Sequence, residues 1–389
     1  MNQSKVRDIE KAVHQTVTSG SIAGMNVLII KDGEELFYYD EGYADIENRK
    51  PIKRDSIFRL YSMSKPVTAV AVMILAERGL IDLGQPVSDF LPGFKDQRVC
   101  QNGKLVPVYR PAVIRDLLNM TAGLVYPGVD GEPEIQMARV FDEIIANLGT
   151  DHQVSTVNAA NAIGRCPLKF HPGETYFYSS GADVLGAVTE VASGMKFGEF
   201  LKKEIFEPLK MEDTGFCVPE RKVDRVALPY QTAPDGTLEV YKGCNLGVQN
   251  DVTTKNDFES GGGGLVSTLD DYASFAAMLL GGGIYKGKRI LSEGTVKFLT
   301  DGSLTPGQTK GLETAPALMG YTYGNLMRVL KTPGQALPMG SIGEYGWDGW
   351  LGCYFSNDPK EHMTILAGVQ QTDSGVLPVI RKIRNILYR

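Results

Sequence analysis

The chain has little of what metal, disulfide, membrane or nucleic-acid proteins need. Only four histidines occur, His14, His152, His171 and His362, and none is set in H-E-x-x-H spacing. Neither a zinc peptidase nor a histidine-based triad is supported. The five cysteines, Cys100, Cys166, Cys217, Cys244 and Cys353, are odd in number, scattered and without a C-x-x-C pair. They read as reduced thiols of a cytoplasmic protein, with no disulfide framework and no zinc site. The formal charge of -6 is spread out and no lysine- or arginine-rich block exists, so no nucleic-acid partner is expected. The opening Met1-Asn2-Gln3-Ser4-Lys5-Val6-Arg7-Asp8 lacks the apolar core of a signal peptide. The longest nearly unbroken apolar run, Val67 to Ala76, is too short to span a bilayer, so no membrane partner is expected either. No G-x-S-x-G elbow occurs, which argues against an α/β-hydrolase. Gly282 to Lys288 matches most of a phosphate loop, but Arg289 replaces its Ser or Thr and no strand precedes it.

What remains is an ordinary globular composition: 389 residues, 43% hydrophobic and 22% charged. That length suits one large domain or two packed ones. An opening helix is expected from Val6 to Val17, with Val6, Ile9, Val13 and Val17 on one face. Met25–Ile30 and Glu35–Tyr39 flank Asp32-Gly33, a hairpin signal. Helical patterns follow at Ile135–Leu148, Thr156–Ile163 and Ala182–Ala192, and at Leu269–Leu280 behind a capping box of Thr268 and Asp271. Strand character returns at Tyr321–Arg328, Trp350–Ser356 and Met363–Val369, before a last helix from Val376 to Leu387. Strands at both chain ends around a helical middle predict an α/β fold of the α+β type. One antiparallel sheet would recruit residues 1–87 and 315–389, and residues 88–314 would form a mainly helical insertion, with the site in the cleft between. The run Gly261 to Gly264 is expected where backbone passes close to backbone.

Three stretches carry chemistry. In Leu60-Tyr61-Ser62-Met63-Ser64-Lys65-Pro66, Ser62 and Lys65 stand three apart at a helix start. One helix face would then hold the amine beside the hydroxyl, and a serine needs such a partner to become a nucleophile. The Ser62 N–H at that helix end can donate to a developing oxyanion. Taken alone, S-x-x-K is a short pattern and Ser62 could simply cap the helix. The second stretch is Pro172-Gly173-Glu174-Thr175-Tyr176-Phe177-Tyr178-Ser179-Ser180-Gly181, where Tyr178 can serve as a base or shuttle beside cations, or pack its ring while Ser180 caps a helix. The third is Tyr345-Gly346-Trp347-Asp348-Gly349-Trp350-Leu351-Gly352, which holds both tryptophans of the chain and reads as a binding wall or an aromatic hairpin entry.

The order and spacing of these three resemble the serine β-lactamase and penicillin-binding-protein superfamily over nearly the whole chain. Ile114-Arg115-Asp116-Leu117-Leu118-Asn119-Met120-Thr121-Ala122-Gly123-Leu124, Gly263-Gly264-Leu265-Val266-Ser267-Thr268 and Gln370 also look like that family. Within it the chain is most similar to family VIII carboxylesterases, the esterases resembling class C β-lactamases. The resemblance implies that Ser62 is acylated, that Lys65 and Tyr178 are its acid–base partners, and that the N–H groups of Ser62 and Trp350 form the oxyanion hole. Trp347, Asp348, Gly349, Ser180 and Tyr126 are the expected substrate contacts. Ser64 faces elsewhere on the helix and is rejected as nucleophile.

Two departures bear on substrate. Trp347 and Asp348 stand where the family's lactamase-type strand has Lys or His and then Thr, and Ser180 replaces an asparagine. A substrate carboxylate would lose its cation, and Asp348 would repel it unless turned away. The expectation is therefore a cofactor-free, metal-free serine hydrolase for short- to medium-chain acyl esters, with transfer of the acyl group to alcohols as a further outcome of the same intermediate. Its partner is a small-molecule ester, and monomer or homo-oligomer is left open. The alternatives are β-lactamase or D-amino-acid peptidase activity at the same site, or a non-catalytic sensor on this scaffold.

Overall fold

The structure, a computed structural model, describes residues 1–302 and 304–389, Thr314 by its backbone alone. Its longer helices are α1 (Gln3–Thr18), α2 (Ser64–Glu77), α3 (Glu132–Asn147), α4 (Thr156–Arg165), α5 (Gly181–Ser193), α6 (Leu269–Leu280) and α7 (Pro378–Tyr388). The main sheet is built from β1 (Gly24–Lys31), β2 (Glu34–Asp45) and β3 (Lys50–Pro51) near the start of the chain. It takes β4 (Tyr321–Gly324), β5 (Met327–Leu330), β6 (Tyr345–Asp348), β7 (Tyr354–Asp358) and β8 (Met363–Gly368) from near its end. The order is β4-β5-β6-β7-β8-β1-β2-β3, and every pairing is antiparallel. The two chain ends meet at β1–β8, where Leu28 faces Leu366.

Period-two alternation decides what lies on each face. Met25, Val27 and Ile29 of β1, with Ile365 and Ala367 of β8, turn toward α1 and α7 and pack on Ile9, Val13, Ile380 and Ile383. Leu28, Leu366 and Phe355 turn the other way, into the larger core that holds α2, α5 and α6. Helix α2 is apolar nearly all round, and every residue from Ser64 to Leu75 is buried, as such a sequence requires. Asp32 and Gly33 both adopt positive φ, 54° and 81°, closing the first hairpin. The side chain of Thr268 accepts from the Asp271 N–H and α6 ends at Gly281, as its sequence signals indicate.

Two stretches differ from the sequence expectation. Tyr321–Arg328 is not one strand but a hairpin: Asn325 and Leu326 take φ of 51° and 63°, and β4 folds back on β5. Asparagine tolerates that conformation and leucine does not advertise it, which hid the turn. Trp350 lies outside any strand, in the turn between β6 and β7, where the Gly349 N–H donates to the Cys353 carbonyl and Gly352 takes φ 89°. Among the described residues no helix is long and apolar enough to cross a membrane.

Candidate active site

Ser62 sits in a single 3-10 turn, Tyr61–Met63, that runs directly into α2. Tyr61 before it takes φ 44°, a costly conformation for a non-glycine residue that aims the turn at the cleft. Lys65, one helical turn on, is fully buried, and its Nζ donates to Ser62 Oγ at 3.1 Å, Tyr126 OH at 3.1 Å and the Gly262 carbonyl at 2.8 Å. The same nitrogen lies 4.8 Å from the centroid of the Tyr178 ring. Ser64 faces the core, where its Oγ accepts from the Leu265 N–H at 3.1 Å.

The Gly262 carbonyl is held in place from behind. Asp183, in the first turn of α5, is buried and accepts from the Gly262 N–H at 3.0 Å and Ser260 Oγ at 2.6 Å. Burial raises its carboxyl above the usual range, while Lys65 and these hydrogen bonds pull the other way. The glycine run explains itself here: a Cβ on Gly261 would come within 2.4 Å of the Ala182 carbonyl, and one on Gly262 within 2.9 Å of the Asp183 carboxylate. Burial likewise raises the phenol of Tyr126 well above its ordinary value, so it stays protonated. Tyr126 also meets the Tyr178 ring edge-on at 5.6 Å.

Strand β6 approaches from the other side. Its pairing with β5 covers Tyr345 and Gly346. A Cβ on Gly349 would stand 2.3 Å from the Leu60 carbonyl, so only glycine lets this strand end pass the chain entering the Ser62 turn. The contact brings Trp350 alongside Tyr61, ring centroids 5.0 Å apart. The Trp350 N–H is given to no acceptor among the described residues. Its indole donates to Asp373 at 2.7 Å and meets Tyr241 edge-on.

The remaining expected contacts fall differently. Trp347 is 6% exposed and lies behind Tyr178, donating its indole N–H to Tyr178 OH at 3.2 Å and packing edge-on against Tyr323. It braces the tyrosine and is not among the residues lining the cavity at Ser62. Ser180 is fully buried with its hydroxyl on the Val125 carbonyl, so it presents no group to a ligand. Asp348 is ion-paired with buried Arg328 at 3.2 Å; desolvation raises its carboxyl and Arg328 offsets that. A cavity of about 300 Å³ opens at Ser62, walled by Tyr61, Tyr126, Tyr178, Leu246, Val248 and Trp350. Asp183, the rim residues Asn245 to Val248 and the Trp347–Tyr178 bond were not found by sequence reasoning. Only Asp183 left a signal, an acid in the first turn of an otherwise apolar helix.

The sequence profile of the Beta-lactamase family matches residues 9–386. The chain is 29% identical to protein Rv1367c of Mycobacterium tuberculosis over 384 residues, 95% of this chain and 89% of that one. It is 26% identical to esterase EstB of Burkholderia gladioli over 394 residues, covering 98% and 94% of the two. Among solved structures it is similar to EstCE1, described as a hydrolase with promiscuous acyltransferase activity. The TM-score is 0.82 at 26% identity, over 100% of this chain and 99% of that one. With that match along nearly its full length and esterases among its relatives, the chain belongs to the Beta-lactamase family and is a serine hydrolase of that fold.

Proposed function

We propose that the protein is a carboxylesterase of the family VIII kind, cleaving neutral short- to medium-chain acyl esters through an acyl-Ser62 intermediate. The observation that carries this is the cavity itself: tyrosine, tryptophan, leucine and valine make up much of its wall, Asp183, Asn245 and Ser260 add polar groups, and no lysine or arginine lines it among the described residues. A substrate carboxylate would shed water there and find no cation free to pair with it, since the Lys65 amine is already engaged with Ser62, Tyr126 and Gly262, a cost of several kcal/mol in a low-dielectric cleft. A neutral ester bears no such cost and gains apolar and aromatic contact.

In the proposed reaction Ser62 Oγ attacks the ester carbonyl carbon, and the carbonyl oxygen takes up the electron pair facing the Ser62 and Trp350 N–H groups. The Lys65 amine contacts three oxygens as the site stands, so it holds Ser62 in place. Tyr178 is then the relay for the serine proton, its oxygen taking that proton as its own O–H proton moves on toward the departing alcohol. The Trp347 N–H already points at the Tyr178 oxygen, a bond that strengthens if the phenol's own proton leaves ahead of the serine proton's arrival. The proton passes to the departing alcohol, and water then cleaves the acyl–Oγ bond by the same route reversed. An alcohol replacing that water gives acyl transfer, in keeping with the activity named for EstCE1.

The test compares kcat/KM for p-nitrophenyl butyrate and a chromogenic cephalosporin, with the product burst recorded for the ester. The ester should win by orders of magnitude. A preference for the cephalosporin would sink the esterase reading in favour of β-lactamase or peptidase chemistry. Absence of any burst and any Ser62 adduct would favour a binding protein.

A further inference from the structure

Behind the catalytic cavity lies a second, smaller chamber of about 40 Å³. It shares Val248 and Ser260 with the cavity at Ser62, so the two have a wall in common. On its far side it shares Phe216 and Asn256 with a surface cleft of about 420 Å³. The cleft, the chamber and the nucleophile's cavity thus stand in a row with shared walls, Asn256 at the first and Ser260 at the second. The front of that cavity, by contrast, is where the ester must enter.

The chamber is polar where it counts. Arg59 lines it and is 3% exposed, with hydrogen bonds to the carbonyls of Ala227 and Asn250, yet its Nε finds no acceptor among the described residues. The Oδ1 of Asn256, which lines both chamber and cleft, is buried and equally unpaired. Both a donor and an acceptor in one small space call for water, since an anion would satisfy only the donor and repel the other. A buried water needs at least roughly 10–15 Å³ of such space, so the chamber takes about three.

Resting on the acyl-Ser62 reading above, we propose that this chamber is the enzyme's water supply for deacylation. A water relayed from Arg59 and Asn256 past Ser260 reaches the acyl-enzyme from behind while the acyl chain fills the front. Its oxygen bonds to the acyl carbon, the acyl–Oγ bond breaks, one water proton returns to Ser62 Oγ through Tyr178, and a carboxylic acid leaves. Alcohols enter by the front mouth, so the chamber sets the ratio of hydrolysis to acyl transfer. Asn256 is thereby a positioning residue for water, with no role in acylation.

The test plugs the chamber with Asn256→Met and, separately, Val252→Leu, both at its wall. Rapid-quench mass spectrometry with p-nitrophenyl butyrate follows formation and decay of the butyryl adduct on Ser62. Adduct formation should stay within twofold of wild type and its decay should slow at least fivefold in Asn256→Met. In 1-propanol solutions the ratio of propyl butyrate to butyrate should rise by a similar factor. A merely structural role would slow both steps together. Unchanged decay in both variants, or parallel loss of both steps, overturns the chamber and leaves the esterase reading intact. No adduct on Ser62 in the wild type overturns both.

Discussion

Trp347→Phe isolates the bond that ties the third motif to the second. The substitution keeps an aromatic ring between Tyr323 and Tyr178, whose centroids lie 5.0 and 5.5 Å from that of Trp347, and deletes the N–H that reaches Tyr178 OH at 3.2 Å. If Tyr178 carries negative charge in the transition state, the lost bond is a charge-assisted one, worth about 1.5–3 kcal/mol. At about 1.4 kcal/mol per decade, kcat/KM for p-nitrophenyl butyrate should fall about 10- to 150-fold. The fall should lie in kcat, because the indole is not among the residues lining the cavity and so contributes little to ground-state binding. Trimming a residue 6% exposed also leaves a void, so a drop in thermal midpoint accompanies the kinetic effect without explaining it. Activity within threefold of wild type, or a loss residing in KM alone, would refute the role given to this bond.

Three further outcomes follow from the geometry. Ser62→Ala should abolish nearly all ester hydrolysis, whereas Ser64→Ala should retain most of it and lose about 1–2 kcal/mol of stability through the orphaned Leu265 N–H; a fluorophosphonate adduct found on Ser64 by mass spectrometry would reverse the assignment. Lys65→Arg should be inactive despite its charge, because a planar guanidinium cannot reach Ser62, Tyr126 and Gly262 from one atom; steady-state rates within tenfold of wild type would contradict this. Burial pushes the Asp271 carboxyl up to about 6 from 3.8, so the folded state binds its proton more tightly than the unfolded state does. Stability from this group is therefore greatest below pH 4 and falls by about 3 kcal/mol as pH rises to 6, and Asp271→Asn should lack that slope in urea titrations; equal slopes would show the group titrates normally.

The fold was legible where local pattern and tertiary demand agree. Period-two runs at both chain ends, a turn dipeptide at Asp32-Gly33 and a cap at Thr268 all correspond to the elements seen. The sequence pattern broke down where a turn uses residues that do not announce it, as at Asn325-Leu326, or where a strand edge is continued by a glycine turn, as at Gly349 to Gly352. The site was legible in its reacting groups, since Ser62 and Lys65 are joined by helix geometry alone. Its supports were not, because Asp183, Gly262 and Trp347 act through contacts between segments far apart in sequence, and pattern reading sees only neighbours.

Asp348 shows how such a distant contact changes the argument without changing the conclusion. Taken from sequence, it is a negative charge at the strand edge that repels a substrate carboxylate. In the fold Arg328 of β5 pairs with it, and the same buried guanidinium approaches Glu344 at 3.8 Å, so the pair presents little net charge to the cleft. Repulsion is therefore not what disfavours an anionic substrate. The guanidinium cannot be lent to a ligand either: Glu344 would keep Arg384 at 3.1 Å, but the half-buried Asp348 would lose its partner, a cost of up to about 3 kcal/mol that a single substrate contact would have to exceed. Discrimination against carboxylates then rests on desolvation without recompense. It should accordingly be relieved by a new cation placed at the cavity wall, and not by neutralising Asp348.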